Sequence, residues 1–123
     1  MQDRPNINEL LEAVAAFLRE QVVPATEGRV AFHARVAANT LDIVRREVQL
    51  GPDAQAREST RLNQLLGPDA PADLAMANRL LCDRIAAGQL GPDTPGLVDH
   101  LRQTTHDKLA INQPGYAAGT KGD

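Results

Sequence analysis

The same four residues, Leu-Gly-Pro-Asp, occur three times in this chain, at 50–53, 66–69 and 90–93. Glycine can adopt the left-handed conformation that ends a helix. Proline cannot continue one, and aspartate caps the start of the next. The phrase therefore reads as helix, tight turn, helix. Its copies are unequally spaced and the segments between them do not match, so it is recurrent turn chemistry and not a solenoid repeat.

The remaining punctuation agrees with helices throughout. Asn6 followed by Glu9 is a variant capping box, and Pro24 closes the helix it opens. Thr26 is placed to cap a second helix, and Thr94-Pro95 a fifth. The expected helices are 7–22, 27–49, 54–66, 71–88 and 95–112, with no useful strand alternation. The expected fold is an all-α, single-domain bundle of about five helices with a long central helix two. The helical domain would cover 1–113, and 114–123 would be a flexible tail.

Composition limits the core. The aromatics are Phe17, Phe32 and Tyr116, without tryptophan, and much of the 42% hydrophobic content is alanine. Alanine buries little apolar area, so a monomer's core is thin and a second copy or a partner is expected to complete it. The formal net charge is -3, which lacks the basic footprint that nucleic-acid binding requires. Nothing resembles a membrane span or a secretory leader. Cys82 is the only cysteine, so the chain fits a reducing, cytoplasmic setting.

On the expected helix one, Ile7, Leu10, Leu11, Val14, Phe17, Leu18 and Val22 form the core stripe. On helix two, Val30, Ala34, Ala37, Leu41, Val44 and Val48 make one seam, and Phe32, Val36 and Ile43 a second apolar line. Arg29, His33, Thr40 and Glu47 fall between these lines. A helix apolar on two sides should be packed by several neighbours. Helix three, with only Leu62, Leu65 and Leu66, should be the least securely held. Helix four brings Asn78 to its core face, and helix five brings Thr104 and Lys108.

Inward polar residues need partners. One reading is a shared ligand pocket between helices two, four and five, in which Lys108 and Arg29 hold an anion and His33 acts as acid or base. Thr40, Glu47 and Thr104 would complete it. The other reading is a hydrogen-bond network that fixes helix register. His33, His100 and His106 lack metal-ligand spacing, and no cofactor is called for. Gly115–Gly122 lacks the ending of a phosphate loop and reads as tail.

Three stretches carry a likeness. Arg4-Pro5 with Glu9-Leu10-Leu11 and Ala13-Val14 opens the chain, and Phe32-His33-Ala34-Arg35-Val36-Ala37-Ala38-Asn39 comes next. Asp107-Lys108-Leu109-Ala110-Ile111-Asn112 with Pro114 and Tyr116 ends it. Together they resemble a family of short bacterial proteins catalogued as domain of unknown function 6285. The resemblance puts its signature on Arg35, Asn39 and Asn112, as well as on His33 and Lys108. It implies an association with phosphotransferase-like kinases or acyl-CoA dehydrogenases, and it implies no catalytic residue. The function expected is a non-enzymatic accessory or interaction module, acting as a homo-oligomer or as a subunit of a metabolic enzyme. The alternative is a protein binding a small anionic or acyl-CoA-type molecule.

Overall fold

The structure, a computed structural model, describes residues 5–116; Arg4 and the expected tail positions 117–123 lie outside the described residues. It is all-α with a long central helix, as the sequence predicts. Helix α1 spans Ile7–Phe17 and is capped by Asn6, whose Oδ1 accepts from the Glu9 amide at 2.9 Å. A π-helical turn, Leu18–Val22, and a short α2, Val23–Ala25, extend it. Thr26 does not cap the next helix as expected; its hydroxyl donates back to the Val22 carbonyl at 2.7 Å. Helix α4 spans Leu74–Ala86, and Asp73 caps it by accepting from the Met76 amide at 3.0 Å. Helix α5 spans Leu97–Asn112 and starts from Gly96 at φ 88°. Thr94 is not its cap: the Thr94 hydroxyl accepts from the Gly91 amide and closes the preceding loop.

The expected helices 27–49 and 54–66 are a single 39-residue helix, α3, Gly28–Leu66, with Pro52 inside it. The first Leu-Gly-Pro-Asp phrase therefore ends no helix. Gly51 is not among the positive-φ glycines, whereas Gly67, in the second copy, turns to φ 71° and terminates α3. The third copy ends no helix either, since α4 stops at Ala86 and the left-handed residue after it is Gly88, at φ 77°. The residues just downstream account for the difference between the first two copies. Residues 54–58, Ala-Gln-Ala-Arg-Glu, are good helix formers. In the later copies a second proline, Pro71 or Pro95, stands three residues after the first. It pushes the residue before it out of the helical region, and Ala70 is accordingly extended at ψ 120°.

The chain parts into two compact units at Gly51 and Pro52. The second has a leucine core: Leu62, Leu66, Ala77, Leu81 and Leu97 are buried, with Leu65, Leu74, Leu80 and Leu90 packed on them. The end of α3 is thus the centre of this core and not its weakest part. Leu62, Leu65 and Leu66 share one face, and α4 and α5 each lay leucines against it.

The first unit is a hairpin of α1 and the start of α3, and its buried side chains are alanines: Ala15, Ala31, Ala34 and Ala38. The expected core stripes are not covered. Ile7, Leu10, Val14 and Phe17 of α1 are 49–57% exposed. Val30, Val44 and Val48 of α3 are also exposed. Leu11, Leu18, Val22 and Leu41 are half-buried. Alanine at the contact lets the two helices approach closely, and close approach leaves larger side chains no room between them.

Candidate interaction surface

Polar pairs fix the register of the hairpin. Gln49 Nε2 donates to Asn8 Oδ1 at 3.0 Å. Arg45 pairs with Glu12 at 3.1 Å. Arg19 Nη2 donates to Asp42 Oδ2 at 2.6 Å and to Asn39 Oδ1 at 2.8 Å. Partner numbers fall on α3 as they rise along the first helical stretch, so the two run antiparallel. The Arg19 guanidinium beside Asp42 holds that carboxyl below its ordinary value of 3.8, an effect that outweighs partial burial.

The large apolar residues run along the opposite flank. Ile7, Leu10, Val14 and Phe17 recur at three- and four-residue spacings on α1. Val30, Ala37, Val44 and Val48 recur on α3 at seven- and four-residue spacings. Counting about 100° per residue from the buried alanines puts both lines on one side of the hairpin, away from the polar pairs. The result is a two-helix apolar face with no charged residue in either line. Phe32 and Val36 occupy the back of α3, and the Phe32 ring meets His33 edge-on with centroids 5.4 Å apart.

The residues singled out in the sequence divide between the units. Arg29, His33, Thr40 and Glu47 are in the first unit and are exposed rather than inward-facing. The Thr40 hydroxyl donates to Val36 O of its own helix. Of the signature residues, Arg35 and Asn39 lie on the polar flank of α3. Thr104, Lys108 and Asn112 are in the second unit, where Lys108 and Asn112 are exposed. Lys108 therefore does not sit inside an apolar arc. The apolar stripe of α5 turns inward by way of Leu97 and His100 instead.

The inward polar residues of the second unit are joined by hydrogen bonds. Asn78 Nδ2 donates to Glu58 Oε2 at 3.0 Å, tying α4 to α3. Arg61 ties α3 to α5. Its Nε donates to His100 Nδ1 at 2.9 Å and its Nη2 donates to the Thr104 hydroxyl at 3.2 Å. His100 is 1% exposed. Burial, and then the Arg61 charge, hold its pKa below the ordinary 6.5, against the opposing pull of Glu58 and Asp99. Since Arg61 can only donate, Nδ1 carries a lone pair and the imidazole is neutral. Sequence reasoning missed Arg61 and His100. The signal was present: Leu97, His100, Thr104 and Ile111 recur at helical spacing on the inward face of α5.

Among the described residues no group of three or more His, Cys, Asp or Glu side chains could hold a metal ion, and no helix is long and apolar enough to cross a membrane. Cys82 is exposed. No curated protein and no solved structure matches this chain. A family model described as "Domain of unknown function (DUF6285)" matches residues 24–116, most of the chain, and the protein belongs to that family.

Proposed function

We propose that this protein is a non-enzymatic interaction module that self-associates through the apolar face of its hairpin. The observation that carries the reading is the inversion of the first unit, with alanines inside and Ile7, Leu10, Val14, Phe17, Val30, Val44 and Val48 outside. Each of these side chains leaves on the order of 1 kcal/mol of burial unrealised. A unit with so little core needs cover whenever it is folded. A second copy is the one partner present wherever the chain is made. Two hairpins apposed through these faces would form a four-helix arrangement around a common core, with the polar pairs directed outward.

The test is sedimentation velocity over a range of concentrations, on the native chain and on Val14→Glu and Val44→Glu. Both positions are exposed, so the hairpin tolerates the charge, whereas a buried dimer interface does not. The native chain should associate reversibly, and each variant should weaken association by roughly tenfold or more. A native chain that stays monomeric at every concentration refutes self-association.

The metabolic setting of the module, beside acyl-CoA or phosphotransferase enzymes in the bacterial cytoplasm, rests on the family resemblance. It is tested by capture from native lysate. Stoichiometric recovery of an acyl-CoA dehydrogenase or a kinase-like protein supports it, and recovery of the chain alone counts against it.

A further inference from the structure

On the polar flank of the hairpin, away from the apolar face, Arg19, Val23, Arg35 and Asn39 line an open cleft of about 280 Å³. Two of the four, Arg35 and Asn39, are signature residues that the interaction reading leaves without a task. The π-helical turn Leu18–Val22 contains Arg19. Such turns add a residue to the helical repeat and re-aim the side chains beyond them. Here the turn coincides with the Arg19 contacts to Asn39 and Asp42 on α3.

The charges in the cleft can be summed. Arg19 is neutralised by Asp42 at 2.6 Å. Arg35 is exposed, and among the described residues its guanidinium makes no hydrogen bond or ion pair. One positive charge is left over. The Asn39 amide is also oriented by chemistry. Arg19 has only donors, so the atom it meets at 2.8 Å is Asn39 Oδ1. Asn39 Nδ2 is then a spare donor one helical turn from Arg35. Val23 supplies an apolar wall. The cleft therefore offers a planar cationic fork, a fixed amide donor and a short apolar surface.

We propose that this cleft binds the carboxylate of a small, short-chain organic acid. Arg35 pairs with both carboxylate oxygens, Asn39 Nδ2 donates to one of them, and the aliphatic body lies along Val23. One unpaired guanidinium balances a monoanion, which favours carboxylate over phosphate dianion.

The experiment is titration of the full chain with butyrate, monitored by amide chemical shifts and calorimetry, with inorganic phosphate as the comparison anion. Saturable shifts should centre on Arg19, Val23, Arg35 and Asn39. Arg35→Gln should weaken butyrate about tenfold, the loss of one charge-assisted contact. Asn39→Asp is the sharper variant. It keeps an acceptor for Arg19 but replaces the spare donor with a negative oxygen. It should abolish binding while far-UV circular dichroism stays unchanged. Should Asn39→Asp fail to fold, Arg35→Gln, an exposed position, decides alone. Absence of saturable butyrate binding, undiminished binding in the variants, or tighter binding of phosphate than of butyrate overturns the proposal.

Discussion

His100 carries a titratable ring into a site with almost no water around it. Its Nδ1 accepts from Arg61, and its pKa lies below the ordinary value of 6.5. The unfolded chain takes up a proton near that value while the folded chain resists. The contribution of His100 to stability is therefore fully present above about pH 6.5 and is lost as pH falls from there through the depressed folded value. Urea unfolding measured from pH 8 to pH 5 should show falling stability, with a smaller slope in His100→Gln. Asp42 acts lower on the scale. Its pKa is depressed below 3.8, so the Arg19 pairing stabilises the hairpin above that value and is lost with further acidification. His100→Ala should cost about 2–4 kcal/mol in a denaturant titration, through the cavity and the donor of Arg61 left unpaired.

At the level of elements, the continuity of α3 depends on the residues just beyond its internal proline. Gln55 stands where the other two copies of the phrase have their second proline, Pro71 and Pro95. Gln55→Pro should therefore break α3 at its first phrase, with a clear loss of helical ellipticity and a cost of about 3 kcal/mol or more. Gly51→Ala should do the opposite. A Cβ there meets only Glu47 Cγ at an ordinary 3.7 Å, so the gain in helix propensity, about 0.5–1 kcal/mol, should appear in thermal melts. This contrast also marks the reach of local sequence chemistry. The helical class, the long central helix, and the caps at Asn6 and at the end of α3 are all local in origin. The merger of two expected helices is invisible in the phrase taken alone. It is encoded in the next few residues, where Gln55 replaces a proline and good helix formers surround it. Which apolar stripe is covered is not a local property at all. Periodicity gives the stripe on α1 correctly but assigns it to the inside, because pattern alone cannot see that Ala15, Ala31, Ala34 and Ala38 make the closer contact. Arg35 and Asn39 are legible as signature residues, yet their shared cleft depends on Arg19 arriving from another helix.

Taken whole, the chain combines two ways of holding helices together. The second unit has the leucine core expected of a domain that folds by its own burial. The first relies on small residues and a line of ion pairs and leaves its large apolar groups outward. If self-association covers that face, the melting temperature should rise with protein concentration, because a partner that binds only the folded state stabilises it by mass action. In Val44→Glu the dependence should vanish while the leucine-core unit keeps its stability, and differential scanning calorimetry over a concentration series separates the two. The alanine contact also sets the rules by which this protein can drift. At positions 15, 31, 34 and 38 the constraint is bulk: glycine or serine can be absorbed, whereas leucine, though more hydrophobic, would wedge the helices apart. Positions 10, 14, 44 and 48 are exposed on the hairpin itself, so folding of the hairpin constrains neither their bulk nor their polarity in the same way. A saturation library scored for folding should therefore show hydropathy misranking the hairpin's inner sites, with side-chain volume predicting survival there instead.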